Sequence, residues 1–220
     1  MEQKKYLSIV SYTEDCLEKY GDTHLGVGWP KKEDVDKRYQ VMLEVIKPEP
    51  TSEAIRLLDF GCGASYLNEY ILKNGIENIE YSGLDLSEKF IRLSKSKFPS
   101  NNYYHADILD EDAIIPNFDY IVMNGVFTVK AELSFDEMLY YFKRVVKKVF
   151  AKADKGISFN AISKHVDWER EDLFHLPLDT LASYLTKELT RNYIIRNDYG
   201  LYEYTTYVYK QPVLGKGYVG

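Results

Sequence analysis

Ile55-Arg56-Leu57-Leu58-Asp59-Phe60-Gly61-Cys62-Gly63-Ala64-Ser65 passes from a short apolar run, through two glycines, into a segment of helical character that extends to Lys73. An apolar run of this length is the pattern of a strand buried on both faces of a parallel sheet. Gly61 and Gly63 let the backbone turn sharply and approach a ligand with no Cβ in the way, and the helix start behind them presents free N–H groups. Taken alone, the motif reads equally well as a structural tight turn. A dinucleotide fingerprint would need a third glycine where Tyr66 stands. That glycine allows close helix–strand packing around a pyrophosphate, so a nicotinamide cofactor loses support.

Outward from this turn the chain alternates. Glu80 to Leu84, Asn102 to His105, Phe118 to Met123 and Gly156 to Ile162 read as further strands. Ser65 to Lys73 (closed by Asn74-Gly75), Ser87 to Phe98, Ser134 to Ala153 and Leu178 to Leu189 read as helices, with Ser87 a natural cap. Two strands close the chain, Arg191 to Arg196 and Tyr202 to Lys210, joined by the turn Asn197-Asp198-Tyr199-Gly200-Leu201. This order predicts a Rossmann-like, doubly wound α/β fold. Its seven-stranded sheet should be mostly parallel, with a C-terminal antiparallel hairpin strand and helices on both faces. Before it, residues 1–50 are mostly polar. They hold the turn Gly26-Val27-Gly28-Trp29-Pro30 and a helix from Lys32 to Ile46, with Val35, Tyr39, Met42, Leu43 and Ile46 on one face and Pro48 and Pro50 ending it. The expected division is a helical segment or lid (1–50), a catalytic domain (51–212) and a tail (213–220).

In such sheets ligands bind at the carboxyl ends of strands where strand order reverses, and the polar residues sit at those ends. Asp85, followed by Leu86, ends the second strand 26 residues after Asp59 and can accept both hydroxyls of an adenosine ribose. Asp107 follows the third strand and can accept from an adenine amino group while Ile108 packs on the ring. Asn124 follows the fourth strand, near where the chemistry would occur. Each acid alone would suit a helix cap or solvent. Together, at these intervals, they describe a nucleoside site.

Residues 55–127 resemble the class I S-adenosylmethionine-dependent methyltransferases. Leu57 to Gly63 is similar to their glycine-rich first motif, Asp85 to the ribose-binding acid, Asp107 with Ile108 to the adenine-contacting pair, and Asn124 falls in the fourth motif. Ser65 departs from the pattern, since family members often carry glycine there. A wider resemblance reaches a small-molecule-type subgroup through Gly26-Val27-Gly28-Trp29, Arg38-Tyr39, Asn124-Gly125-Val126-Phe127, Phe159-Asn160-Ala161-Ile162-Ser163 and Asp198-Tyr199. These motifs carry no substrate information. The resemblance implies S-adenosyl-L-methionine as cofactor and S-adenosyl-L-homocysteine as product. It also implies transfer of a methyl group to an oxygen or nitrogen of a small molecule, a sugar or another metabolite, by in-line displacement.

Trp29 is a candidate to cover the cofactor and Arg38 to pair with its methionine carboxylate, a match for a planar fork. The alternative packs Trp29 on the core and lays Arg38 on a helix surface. For a general base the candidates are His24 and His165, with Asn124 on the acceptor side; His105, inside a strand, reads as structural. Asn160 and Tyr199 are further candidates for the acceptor side.

The 220 residues suit one well-filled core. A net charge of -6, from 28 Lys plus Arg against 34 Asp plus Glu, disfavours a nucleic-acid partner. Lys143, Arg144, Lys147 and Lys148 fit the solvated face of a helix. Asn124-Gly125-Val126-Phe127 lacks the two prolines of nucleic-acid amino methyltransferases. Two cysteines without a CxxC pair suggest neither disulfides nor structural zinc, and no metal is expected. Met1-Glu2-Gln3-Lys4-Lys5 opens no signal peptide and no segment resembles a membrane span, so a cytoplasmic location is expected. The remaining alternatives are a non-catalytic cofactor-binding regulatory subunit and a nucleic-acid or protein methyltransferase.

Overall fold

The computed structural model describes residues 4–48 and 53–213. Pro50, the 50/51 boundary and all of the tail but Val213 lie outside the described residues. In chain order the elements are α1 (Leu7–Tyr20), a 3-10 turn (Lys32–Asp34), α2 (Val35–Leu43), β1 (Ile55–Phe60), α3 (Tyr66–Lys73), β2 (Ile79–Asp85), α4 (Glu88–Lys97) and β3 (Asn102–His105). Then come β4 (Phe118–Phe127), α5 (Phe135–Lys152), β5 (Ala153–Ser163), β6 (His175–Leu176), α6 (Leu178–Glu188), β7 (Tyr193–Arg196) and β8 (Glu203–Tyr209).

The strands form one sheet in the order β3-β2-β1-β4-β5-β8-β7, with the two-residue β6 against β5. β1 to β5 run parallel, and β8 enters antiparallel to both β5 and β7. The expected seven strands are thus present, with β6 in addition.

Both faces are covered because the central strands are apolar on alternate residues in both directions. Leu58, Ile121, Met123, Ile157 and Phe159 point into one cluster, shared with Phe142, Val145 and Val146 of α5 and Leu181 and Leu185 of α6. Leu57, Tyr120 and Val122 point into the other, shared with Val35 and Tyr39 of α2 and Leu67 and Ile71 of α3. Phe142 centres the first cluster, with ring centroids 4.9 Å from Phe127 and 5.4 Å from Phe159. α5 begins with a capping box between Ser134 and Glu137, and Ser87 caps α4 by accepting from the Phe90 N–H. Two buried tyrosines spend their hydroxyls on the backbone: Tyr184 donates to the Lys143 carbonyl and Tyr204 to that of Leu176.

Three differences from the sequence reading stand out. α1 was not expected. The helix read as Lys32 to Ile46 is a 3-10 turn followed by a shorter α2, because the chain turns after Leu43 to drive Val45 fully into the core. β4 runs on to Phe127, so Asn124 lies inside a strand whose pairing with β5 shifts register between Met123 and Phe127.

Phe142→Ala should cost about 3–5 kcal/mol of unfolding free energy in urea. Leu72→Ala, on the exposed side of α3, should stay within about 0.5 kcal/mol. Equal losses would contradict the assignment of Phe142 to the centre of the core.

Candidate functional site

Strand order reverses between β1 and β4, and a cleft of about 1130 Å³, its open mouth included, lies at their carboxyl ends. Its floor is the turn after β1. Gly61, at φ +74°, is tolerated only without a side chain, because a Cβ would lie 2.7 Å from Val126 Cγ2. The Gly63 N–H donates to Asp85 Oδ2 at 2.9 Å, which ties the turn to the end of β2. Ser65, at φ +57°, holds a left-handed conformation unusual for a non-glycine residue. Its hydroxyl donates to Ser94 Oγ at 2.8 Å and lies 3.0 Å from the Tyr103 hydroxyl, so hydrogen bonds offset the strain.

Two carboxylates flank this turn, Asp59 buried and Asp85 half-buried. Burial pushes Asp59 up to about 7, with Asp85 adding repulsion and a 2.8 Å bond from the Tyr81 hydroxyl opposing the rise. Burial also raises Asp85, against the backbone N–H groups of Ser87, Gly63 and Leu86. Asn124 lines the cleft opposite, and its Oδ1 is buried without a partner. A buried acceptor left bare marks a place for a ligand donor.

The amino-terminal segment closes the cleft from above. Tyr6 stacks on Tyr141 with centroids 4.7 Å apart, while Ile9, Val10, Tyr12 and Thr13 of α1 line the opening. None of the residues of α1 is buried. Polar contacts hold it instead: Ser87 Oγ donates to Glu14 at 2.6 Å and Lys89 pairs with Glu14 at 3.0 Å.

Asp59, Gly61, Gly63, Asp85, Leu86, Asn124 and Trp29 all line this one cleft. Asp107 does not. Its Oδ2 accepts from Tyr6 at 2.6 Å and Lys4 at 2.9 Å, and its Oδ1 from the Leu109 N–H at 3.0 Å. Burial would raise this carboxyl, but the bonds from Tyr6 and Lys4 outweigh it and hold it below the ordinary carboxylate range. Ile108 is buried in the core cluster beside it.

Arg38 stands behind the wall rather than in it. Its Nε donates to both oxygens of Glu203, at 3.0 and 2.9 Å, and its guanidinium stacks 4.2 Å from the Trp29 ring. The guanidinium that was expected to face a ligand carboxylate is therefore committed to a buried glutamate. His24 and His165 do not line the cleft; His165 is exposed, and the His24 carbonyl accepts from the Trp29 N–H at 2.8 Å. His105 lies within 3.0 Å of the Leu86 carbonyl. Asn160 is buried and bridges Gly125 to Glu203, while the Tyr199 hydroxyl meets Thr205 at 2.9 Å.

Tyr6, Tyr12, Tyr66, Tyr141 and Glu203 are the residues the sequence reading missed. Tyr6, Val10, Thr13 and Leu17 recur at helical spacing, a short signal that could have revealed α1. For Glu203 the signal is a lone acid at the head of an apolar strand, which demands a partner.

Comparison with known proteins agrees with this geometry. Residues 58–148 match a family described as a methyltransferase domain. Rv1506c of Mycobacterium tuberculosis, named provisionally as a methyltransferase, is 27% identical over 154 residues, covering 69% of this chain and 91% of that protein. Magnesium protoporphyrin IX methyltransferase (ChlM) from Synechocystis PCC 6803, with bound SAH, aligns with a TM-score of 0.62 at 12% identity, covering 94% of this chain and 98% of that one. The plantazolicin methyltransferase BpumL, in complex with a monoazolic substrate analogue and SAH, aligns with a TM-score of 0.63 at 16% identity, covering 94% and 95%.

The raised Asp59 has a consequence for stability. From about pH 4, where an unfolded aspartate ionises, to about 7, the folded chain holds a proton that the unfolded chain has released. Stability therefore falls as pH rises through that window. Asp59→Asn should flatten part of this fall, with Asp85 supplying the remainder; urea unfolding of both proteins at pH 5 and 7.5 measures it. An undiminished fall in the variant would mean that Asp59 is already ionised in the fold.

Proposed function

We propose that the chain is a class I S-adenosylmethionine-dependent methyltransferase, a reading supported by the methyltransferase-domain match over residues 58–148, and that it methylates an oxygen or nitrogen of a small-molecule acceptor, a sugar or another metabolite, by in-line displacement. The observation that carries this reading is a single cleft at the strand-order reversal that gathers Asp59, Asp85 and the bare Asn124 oxygen beneath α1.

The residues present fit S-adenosyl-L-methionine. The buried Asp59 and half-buried Asp85 carboxylates suit a ligand that carries an ammonium, a sulfonium and ribose hydroxyls. The Gly61 turn lets Val126 pack closely at the floor of the cleft, and Asn124 Oδ1 awaits a donor. When bound, the cofactor supplies an activated methyl group and leaves as S-adenosyl-L-homocysteine. The protein's part is to bind, orient and exclude water. Asp85 holds the sugar, Gly61, Gly63 and Leu86 shape the floor, and Trp29 with Asn124 bounds the reacting end. Such alignment supplies about 7–11 kcal/mol of barrier lowering in favourable cases.

Of the described residues, 4–48 act as a lid over a catalytic domain that runs to residue 212. Tyr6 and Lys4 sit on Asp107, so an adenine amino group reaches that acid by sharing it with Tyr6 or by displacing it. Among the described residues lining the cleft there is no Lys, Arg or His, and the charged ones are both acids. An anionic acceptor would be repelled there, and a neutral or cationic one is favoured. The porphyrin and plantazolicin named in the structural relatives support a small molecule over a macromolecule. Among the described residues no helix is long and apolar enough to cross a membrane; a cytoplasmic site of action is part of the proposal.

Calorimetry should detect binding of S-adenosyl-L-homocysteine, and Asp85→Asn should weaken it about tenfold to a hundredfold through loss of charge-assisted hydrogen bonds. Incubation with methyl-labelled cofactor and a fractionated metabolite extract should then yield a labelled small molecule by mass spectrometry. Binding without any transferred label would instead favour a regulatory cofactor-binding subunit.

A further inference from the structure

Beside the cofactor turn, five residues from five parts of the chain close a ring of contacts. Glu203 Oε1 and Oε2 both accept from Arg38 Nε, at 3.0 and 2.9 Å. The Arg38 guanidinium lies 4.2 Å from the Trp29 ring. Trp29 rests on the bare backbone of Gly125, where a Cβ would come within 2.7 Å of Cζ2. The Gly125 N–H donates to Asn160 Oδ1 at 2.7 Å, and Asn160 Nδ2 returns to Glu203 Oε1 at 2.9 Å. We propose that the Arg38–Glu203 ion pair, extended by Asn160, is a positioning unit that presses the Trp29 indole against Gly125 and so forms the cleft wall at its acceptor end. Calling that end the acceptor end rests on the methyltransferase reading; the wall itself does not.

The geometry of the pair supports this role. The arginine–carboxylate arrangement that maximises hydrogen bonding places two parallel N–H groups on two oxygens. Here one Nε serves both oxygens, and Nη1 is buried without a partner. The guanidinium is thus held over the indole at the expense of its own bonding. Both side chains are buried, at 10% and 2% exposure. A pair this deep recovers little beyond its own desolvation and is often matched in stability by apolar residues, so its value lies in the geometry it imposes. Gly125, at φ +82°, accepts no side chain on two counts: its backbone conformation and the indole against it. Thr128 Oγ1 donates to the Gly125 carbonyl at 3.0 Å and secures the other side of this peptide.

Trp29 and Trp168 are the two tryptophans of the chain. In a Trp168→Phe background the emission of Trp29 reports on the wall alone. Arg38→Lys keeps a cation for Glu203 but removes the planar face, and Arg38→Gln combined with Glu203→Gln removes both charges without leaving one buried. In each, acrylamide quenching of Trp29 should rise about threefold with a red-shifted emission, while the affinity for S-adenosyl-L-homocysteine changes less than about tenfold. A pair that mattered only as a salt bridge would tolerate lysine. Folded variants that keep the parent's quenching and emission overturn the proposal, and if Arg38→Lys does not fold, the charge-free double variant decides. Failure of the parent itself to bind S-adenosyl-L-homocysteine would overturn the methyltransferase reading, yet leave the quenching comparison a valid test of the wall.

Discussion

A buried carboxylate, Asp59, beside a half-buried one, Asp85, with no cationic side chain paired to either among the described residues, is the constraint from which the site follows. Their partners among the described residues are a tyrosine hydroxyl and backbone N–H groups. Burying negative charge on such terms costs stability and raises the carboxyls above their ordinary range. The fold tolerates this because it places both acids where the sheet reverses, at the one point where strand ends diverge and a ligand can enter. A ligand bearing positive charge and hydroxyl donors restores what burial removed. The site is poised for binding by being locally unsatisfied.

That constraint explains why the fold and the cofactor end of the site were legible in the sequence. The glycine turn after β1 and the acids ending β2 and β3 are short-range features, readable from residue type and spacing alone. The alternation of strand and helix that sets the sheet order is equally local. What stayed hidden depends on tertiary contact. α1 carries only a narrow apolar stripe, none of it buried, so its helical period is weak against its polar background. In the sequence Arg38 reads as a partner for a cofactor carboxylate or as a residue of a helix surface; the structure pairs it instead with Glu203, 165 positions away on a strand that meets β5 only once the sheet is formed. Asp107 was placed correctly at a strand end, yet the sequence offers no sign that Tyr6 and Lys4 would reach it across more than a hundred residues.

The lid and the wall answer to different physics. α1 is held by polar contacts such as Glu14 with Ser87 and Lys89, partly exposed and individually weak. Elements held in this way open at low free-energy cost, which suits the lid role proposed for this segment. Trp29 is held from behind by a buried ion pair and from beside by a glycine that admits nothing else. It belongs to the rigid part of the site.

This division bears on selectivity. A loose cover contributes little discrimination, because it adapts to what lies beneath it at small cost. A rigid wall discriminates, because a ligand that does not fit must displace packed groups whose rearrangement breaks several contacts at once. In this protein the rigid wall stands beside Asn124 at the end of β4, and the loose cover lies over Asp85 and Asp107. On the proposed reading, hydrogen bonds secure the nucleoside half, and the ring of contacts through Trp29 reads the shape of the acceptor. Differences in acceptor choice among chains of this fold should therefore trace to the residues that support such a wall, even where the nucleoside contacts are the same.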